Sequence, residues 1–301
     1  MSAAVLAQPT IGQRISGPLA AAGDFLRLLA TRPVGLAGFI GIVFFLLLAF
    51  VAPMFVPLHN DPSLADIYQP PSGAHPLGTD FQGKDVLNQI VYGGRDILTV
   101  AILAALVSTI IAISFGSVAA TIGGRLDSVI LAITDVTLTV PKLILLIAVA
   151  AILRPTSFVF LAVILGLLQW SSLLRQVRAQ VLSLKERDYV EAARSLDLGL
   201  FHIVFREILP TMRSYIAIHF ILAMTEAMYA QVFVIFLGLV PVSGSNWGIM
   251  LYFAQGQGAL FFRDSIWYIL SPILAISLLQ LSLVSFASAL EDIFNPRLRG
   301  A

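Results

Sequence analysis

The chain has 301 residues, of which 58% are hydrophobic and only 12% are charged. Soluble domains are about 45–50% apolar and about 25% charged, so this composition predicts an integral membrane protein. The formal net charge of +1 gives no basic surplus that would indicate nucleic acid as a partner. The absence of cysteine excludes disulfides and thiolate metal sites.

The chain is predicted to begin with a leader, residues 1–33, whose segment 12–31 forms a short amphipathic helix at the membrane surface. Beyond it lie apolar runs near the length of about 20 residues that crosses about 30 Å of hydrocarbon. The six predicted spans are 34–56, 97–122, 128–153, 157–174, 214–240 and 266–290. The predicted fold is an all-α integral membrane protein of about six transmembrane helices, a first helix followed by a five-helix core over 97–290.

Three segments lie between or beyond these spans, at 57–96, 175–213 and 291–301. The first is long and rich in Pro and Gly, which predicts an ordered element rather than a tight turn. Lys and Arg concentrate in the leader, in 175–213 and in the tail. Because these residues favour the cytoplasmic side of a membrane, both termini and 175–213 are predicted to be cytoplasmic, and 57–96 external.

The second span carries a small residue at every fourth position: Ala104, Ser108, Ala112, Gly116 and Ala120. Such a stripe lets another helix backbone approach closely. Packing within the chain is the favoured interpretation. A subunit interface or a pore-lining face remains the alternative.

The stretch "HPLGTDFQGKDVL" contains Gly78, four residues, then Gly83 and Lys84, as a phosphate-binding loop would. A phosphate loop needs Ser or Thr after the Lys to hold Mg²⁺, and Asp85 stands there instead. It also needs a preceding buried strand, whereas the preceding segment is Pro-rich and predicted to be external. Nucleotide binding at this stretch is therefore excluded.

The segment 175–213 contains a predicted short helix. Ser183 with Glu186, and Asp188 with Glu191, have the spacing of a capping box. The helix is predicted to start near Asp188 and to end before Gly199, which would follow its C-terminus. Spacings of three and four give it one apolar face, made of Tyr189, Ala192, Ala193 and Leu196. A helix with such a face and charged flanks is typical of docking into a groove of another protein.

Four ionisable residues lie inside predicted spans: Asp135, Lys142, His219 and Glu226. A charge in mid-membrane is costly, so each is expected to face protein or water. Asp135 and Lys142 are seven residues apart and are predicted to share a face of the third span. They and Glu226 are candidates for the translocation path or for pairing with a partner subunit, and both interpretations stay open. His219 is interpreted as a packing residue.

Several segments carry a family resemblance. The segment 188–210 resembles the EAA motif of ABC importer permeases, at Glu191-Ala192-Ala193 and at Ile208-Leu209-Pro210, with Asp197 where the family has Gly. The stretch "HPLGTDFQGKDVLNQIVYGGR" resembles the signature of the C-type permease subunit of dipeptide and oligopeptide importers. Further segments that resemble this subunit are 123–147, 236–251 and the tail "NPRLRG".

The resemblance implies a type I ABC importer permease fold with a cytoplasmic coupling helix. The implied ATPase-coupling residues are Asp188, Tyr189, Glu191, Ala192, Ala193, Arg194, Leu196 and Gly199. The chain would be a non-catalytic subunit in the bacterial inner membrane, paired with a B-type permease as a heterodimer. Two ATPase subunits would bind ATP and Mg, which this chain would not, and an external solute-binding protein would deliver di- or oligopeptides. A nickel chelate or another small solute is the alternative cargo.

The external family signature consists of His75, Pro76, Leu77, Gly78, Thr79, Asp80, Gly83 and Asp85. Its loop is interpreted either as a platform for the binding protein or as a lid over the helix ends. No metal-ligand spacing is recognisable around His59 and His75, so no metal site is expected. Two other function classes remain. One is a stand-alone channel or secondary carrier, which would need no docking helix. The other is an intramembrane hydrolase, for which His219 has no identifiable serine partner.

Overall fold

The structure is a computed structural model that describes residues 18–57, 61–240, 244–261, 263 and 265–294. The leader before Pro18, His59, the tail after Phe294 and part of the segment 236–251 lie outside the described residues. Within them the chain is helical, and its α-helices are α1 (Pro18–Ala30), α2 (Pro33–Phe50), α3 (Val86–Ile122), α4 (Gly124–Thr139), α5 (Lys142–Leu153), α6 (Phe158–Leu184), α7 (Asp188–Ser195), α8 (Leu200–His202), α9 (Leu209–Thr211), α10 (Arg213–Phe236), α11 (Trp247–Gly256) and α12 (Ile266–Phe294). Shorter turns are 3₁₀-helical at Ala52–Met54, Leu64–Asp66 and Ala259–Phe261, and π-helical at Ile203–Ile208.

Five of the described helices are long and apolar enough to cross a membrane: α2, α3, α6, α10 and α12. The helices α4 and α5 make a sixth span if they are counted together, which confirms the predicted number. They are not one straight helix, however, because the chain bends by 86° between them. The cause lies at Val140, which is extended (ψ 127°), since the ring of Pro141 disfavours helical geometry in the residue before it.

Two helices run further than the hydropathy predicts. The helix α3 begins at Val86, inside the predicted loop 57–96, because the Asp85 side chain caps its first turn by accepting a hydrogen bond from the Asn88 amide (2.8 Å). Its 37 residues span about 55 Å at 1.5 Å per residue, well beyond the hydrocarbon. The helix α6 continues to Leu184, past the predicted end at residue 174. Capping and packing, not apolarity, set these ends.

The helices α3 and α6 lie parallel and pack closely along their length. The small-residue stripe of α3 is buried from Ala104 to Ala120, as the favoured interpretation predicts. A Cβ atom on Gly116 would lie 3.0 Å from the carbonyl oxygen of Leu174 in α6. At the far end of the pair, Lys185 Nζ donates a hydrogen bond to the Ala120 carbonyl (3.3 Å). The stripe is therefore covered by α6 of the same chain.

The other long helices surround this pair. The helix α2 packs antiparallel on α12, where a Cβ atom on Gly38 would lie 2.7 Å from the Ser282 carbonyl oxygen. The helix α10 packs on α3, and Gln231 Nε2 donates to the Ile97 carbonyl (2.8 Å). At the α3 start, Trp247 Nε1 donates to the Ile90 carbonyl (2.9 Å). The loop 61–85 and α11 thus lie at one end of the bundle, and α7 lies at the other.

The predicted leader helix is present as α1, and the first part of the prediction, 12–17, lies outside the described residues. Leu29 is fully buried against Ala289 and Ile293 of α12, while Leu28 is exposed. Arg32 after α1 lies 3.8 Å from Asp292 at an exposed ion pair. The leader helix is thus anchored to the end of α12.

We expect Gly166→Ala in α6 to destabilise the protein by about 1–3 kcal/mol, because the new Cβ atom would lie 2.6 Å from Val107 Cβ and 2.9 Å from the Ala104 carbonyl oxygen. Thermal unfolding of the purified protein in detergent measures the effect. The matched control is Gly256→Ala in α11, which meets no atom within 4 Å and is expected to be neutral or stabilising. Equal melting temperatures for Gly166→Ala and the wild type would contradict the packing.

Candidate functional site

The predicted external signature folds into a compact loop at the start of α3. The side chain of Asp80 is buried, and its Oδ1 accepts hydrogen bonds from the amides of Gln82 (2.8 Å) and Lys84 (2.9 Å). Its Oδ2 accepts a third bond from Gln89 Nε2 (2.8 Å). Burial, with the Asp80 charge as the second cause, raises the pKa of the nearby Tyr68 phenol. Asp80 therefore holds the loop together from inside.

The other signature residues fix the same loop. His75 Nδ1 lies 2.9 Å from Asp85 Oδ2, so the beginning of the signature is tied to the α3 cap. The Thr79 hydroxyl donates to the Asp66 carbonyl and accepts from the Gln69 amide. Gly78 and Gly83 have positive φ, 73° and 76°, which L-residues rarely adopt. Leu77 packs on the core and Pro76 is exposed.

This geometry also makes the stretch poorly suited to binding a phosphate. The backbone amides of Gln82, Lys84 and Asn88 are the donors that an anion would need, and the carboxylates of Asp80 and Asp85 already accept from them. The carboxylates of Asp80 and Asp85 thus occupy the place that a phosphate would take at these amides.

At the opposite end of the bundle, α7 begins at Asp188 as predicted. The predicted capping box is wrong, because Asp188 is already helical and its N-cap, Arg187, makes no side-chain cap bond. Asp188 and Glu191 instead place negative charge in the first turn, where it complements the helix dipole. The helix α7 packs against the core of the chain, because Val190 and Ala193 are buried in one cluster with Ile203.

The exposed side of α7 differs from the predicted apolar face in one residue. Ala193 does not share that face, because it lies three positions after Val190 and points with it into the core. Ala193 is the one buried member of the predicted coupling set; the exposed members are Asp188, Tyr189, Glu191, Ala192, Arg194, Leu196 and Gly199. The outward surface is therefore more polar than the sequence indicates.

The helix ends in a Schellman motif, and the predicted role of Gly199 as the residue after its C-terminus is wrong. Asp197 takes that position with φ 52°, and its amide donates to the Arg194 carbonyl (2.9 Å). The Leu198 amide donates to the Ala193 carbonyl (3.1 Å), which completes the motif. Asp tolerates this left-handed geometry better than most residues, so the turn forms without the family's Gly. Gly199 is instead the extended residue before α8.

Beside α7 the chain exposes an aromatic pair that the sequence analysis does not single out. The rings of Phe201 and Phe205 stack with their centroids 4.4 Å apart, and the Phe201 side chain is 73% exposed. The exposed Leu196 and Leu200 lie in the same segment. The α7 surface, defined as the exposed residues of α7 together with Leu196, Leu200, Phe201 and Phe205, thus offers both charges and large apolar groups.

The helices α5, α6 and α10 line a partly open cavity of about 470 Å³. Lys142 Nζ and Glu226 Oε2 lie 3.3 Å apart on its lining, so two of the three predicted translocation-path candidates meet there. Gln169 and Tyr229 are the other polar lining residues, and the apolar lining consists of Leu143, Leu146, Leu165, Leu168, Ala230 and Phe233. The cavity is an apolar chamber with one ion pair.

The third candidate, Asp135, lies elsewhere. The predicted shared face of Asp135 and Lys142 is wrong, because the 86° bend separates them. Asp135 pairs with Arg175 of α6. A second pair joins the same two helices, with Asp127 accepting two hydrogen bonds of 2.6 Å from Arg178. These pairs connect α4 to α6, and among the α4 residues only Thr134 is buried.

The sequence gives no local pattern that indicates a role for Gln169, Tyr229 or Arg175. Gln169 and Tyr229 are polar residues within apolar helices, and their common cavity forms only when α6 and α10 pack. Arg175 stands among other Arg residues at the end of α6, and its pairing becomes evident once α4 is placed. Polar residues inside the predicted spans are the signal that could have found the first two.

We expect Asp197→Gly to stabilise the protein by about 0.5–1 kcal/mol. The left-handed geometry costs about 1–2 kcal/mol for a residue with a Cβ atom such as Asp197, and glycine avoids this cost. The gain exceeds the conformational entropy that glycine loses on folding, which costs about 0.5–1 kcal/mol. The melting temperature of the purified protein tests this. Gly199→Ala, at an extended position with no neighbour within 4 Å, is the control and should change little. A lower melting temperature for Asp197→Gly would contradict the motif.

We expect Asp80→Ala to destabilise the protein by at least about 2 kcal/mol, because three N–H donors lose their acceptor and each costs about 1–3 kcal/mol. Limited proteolysis of the loop 61–85 in membranes, together with the melting temperature, measures the effect. Asp61→Ala changes an exposed carboxylate of the same loop and should stay within about 0.5 kcal/mol of the wild type. Similar protease resistance of both variants would show that Asp80 does not organise the loop.

Comparisons with known proteins agree with the resemblance. Residues 112–300 match the family described as "Binding-protein-dependent transport system inner membrane component", and residues 22–71 match the "N-terminal TM domain of oligopeptide transport permease C". A putative peptide permease protein of Brucella suis biovar 1 is 33% identical over 296 residues, covering 95% of each chain.

Two named relatives come from Bacillus subtilis (strain 168). The dipeptide transport system permease protein DppC is 30% identical over 279 residues, which cover 92% of this chain and 86% of the relative. The oligopeptide transport system permease protein OppC is 29% identical over 271 residues, which cover 89% of this chain and 87% of the relative. The match over 112–300, the coverage by these relatives and the helical architecture together assign the chain. It belongs to the family of binding-protein-dependent transport system inner membrane components, the permease subunits of ABC importers.

Proposed function

We propose that this chain is the permease subunit of an ATP-driven importer of di- or oligopeptides and forms half of the translocation pathway. The relatives that cover nearly the whole chain carry the names of dipeptide and oligopeptide permeases. One structural observation supports the coupling part of the proposal above all. The short helix α7 is fixed to the core by Val190 and Ala193 and leaves its other side free at the end of the bundle.

In this proposal the α7 surface docks an ATPase subunit, and ATP and Mg are bound by that partner. Because α7 shares one hydrophobic cluster with α3 and α6, a displacement of α7 would be transmitted to both long helices. Exposed Phe201 and Leu196 supply apolar contacts, while Glu191 and Arg194 supply charges at the rim. The distribution of Lys and Arg supports a cytoplasmic location for this end and for both termini.

The remaining partners follow from the same proposal. A B-type permease would pair with this chain as a heterodimer in the bacterial inner membrane and supply the other half of the pathway. A solute-binding protein would approach the end that carries the loop 61–85. The hydrogen bonds of Thr79, Asp80 and Asp85 tie the loop to itself and to the start of α3, which supports a rigid cap over the helix ends, against which a partner could rest.

The direct test is reconstitution. The chain is co-expressed with the permease and ATPase genes next to its own, and the purified complex is placed in liposomes with the binding protein. We expect ATP-dependent uptake of a radiolabelled dipeptide such as Ala-Phe. Uptake by the chain alone, without ATPase subunits, would overturn the proposal in favour of a stand-alone carrier.

We expect Ala192→Trp to reduce the binding of the ATPase subunits by about tenfold or more, because a large side chain on an exposed alanine blocks close approach. Co-purification of the ATPase and peptide-stimulated ATP hydrolysis are the measurements. The control is Ala65→Trp, an exposed alanine at the opposite end of the bundle, which should leave ATPase binding unchanged. Wild-type ATPase binding and stimulation by Ala192→Trp would contradict docking on α7.

A further inference from the structure

We propose that Lys142 and Glu226 form a binding site for the two charged ends of a short peptide. The cavity between α5, α6 and α10 would be the chamber that receives the peptide. The Lys142 ammonium would donate to the C-terminal carboxylate, and the Glu226 carboxylate would accept from the N-terminal ammonium. This inference rests on the proposed function and deepens it by naming the residues that meet the cargo.

Both charges lie at positions where a cargo in the pathway could reach them. Lys142 begins α5 and Glu226 lies within α10, both among helices that cross the membrane. Their side chains are 42% and 55% exposed in this chain, so the pair is not sealed by its own fold. Charges at such positions must face water or protein, because hydrocarbon solvates them poorly. An aqueous pathway that opened at the cavity would provide that environment.

The Lys142–Glu226 pair has the geometry of an ion pair that adds little to folding stability. Exposed ion pairs contribute little to folding, since water and salt screen them and two long side chains must be ordered. The stronger α4–α6 link uses Arg178 and Asp127 with two parallel hydrogen bonds and less exposed side chains. The single 3.3 Å contact between Lys142 and Glu226 lacks that geometry. A pair of this kind can be opened by a ligand that brings both charges.

The size and lining of the chamber match a short peptide. Its volume, about 470 Å³, lies within the range of small-molecule sites, about 300–1,000 Å³. The two ends of an extended dipeptide lie about 7 Å apart, so a dipeptide would separate Lys142 from Glu226 and bind each. Leucine and phenylalanine walls accept side chains of different shapes. Charged ends are common to all free peptides, so this arrangement favours peptides without selecting their sequence.

Two further polar groups suit a peptide backbone. Gln169 is nine-tenths buried, lines the cavity, and its Oε1 has no hydrogen-bond partner in the part of the chain that the structure describes. The exposed Tyr229 also lines the cavity with a phenol that can donate or accept. A side-chain amide and a phenol are the groups that pair with peptide N–H and C=O.

The test separates a peptide site from a structural ion pair by means of the double variant. The reconstituted importer, with its binding protein and Ala-Phe, is compared as wild type, Lys142→Met, Glu226→Gln and the double variant Lys142→Met with Glu226→Leu. If the charges bind the peptide ends, both single variants and the double variant should lose uptake by about tenfold or more, because charge-assisted hydrogen bonds are lost. ATP hydrolysis stimulated by the binding protein should persist in all of them.

If the ion pair is purely structural, the single variants should transport less than the double variant. Each single variant then leaves one uncompensated charge, whereas the double variant removes both and should recover wild-type uptake. That recovery would overturn the inference. The matched control is Arg32→Met with Asp292→Leu, an exposed ion pair between the α1–α2 turn and α12 and outside the cavity, which should leave uptake unchanged. If the wild-type complex itself shows no uptake, the proposed function fails, which is a different result.

A binding measurement keeps the inference testable if a variant assembles poorly. Saturation-transfer NMR on the wild-type complex without binding protein should detect Ala-Phe and not its N-acetylated, C-amidated form. The blocked form keeps the side chains and loses both charges. Equal signals for the two probes would contradict recognition of the peptide ends.

Discussion

The close parallel packing of α3 on α6 is the contact on which the rest of the structure depends. In hydrocarbon, apolar side chains provide no hydrophobic driving force for two helices to associate. The association of α3 with α6 is therefore stabilised by close backbone packing and by interhelical polar bonds. Gly116 and Gly166 provide the approach, and the Lys185 bond to the Ala120 carbonyl provides a polar contact at one end. Every segment with a proposed role is attached to one of these two helices.

The two ends of the α3–α6 pair are built differently. At one end, the carboxylates of the buried Asp80 and the half-buried Asp85 accept hydrogen bonds that hold the loop 61–85 together and fix it to α3. At the other end, Val190 and Ala193 attach α7 to the hydrophobic cluster that α3 and α6 share. The first arrangement fixes a loop, and the second leaves a surface that can transmit force to two long helices.

The bend at Pro141 determines how the charges of the spans are used. A straight third span would place Asp135 and Lys142 on one face, about two helical turns apart. The bend directs Asp135 to Arg175 on α6 and leaves Lys142 at the cavity, opposite Glu226. One proline thus separates a charge that links helices from a charge that lines the chamber.

The sequence by itself determined the membrane class, the number of spans, the start of α7 and the small-residue stripe of α3, because apolar length and helical spacing are local properties. It also indicated the family through the EAA motif and the signature from His75 to Asp85. It gave wrong answers where a neighbour decides the outcome: Ala193 faces the core because Ile203 packs there, and Asp197 ends α7 because Leu198 can bond back to Ala193. Only the tertiary structure decided that Lys142, Glu226, Gln169 and Tyr229 share a cavity, because these residues are far apart in the chain and meet only where α5, α6 and α10 pack.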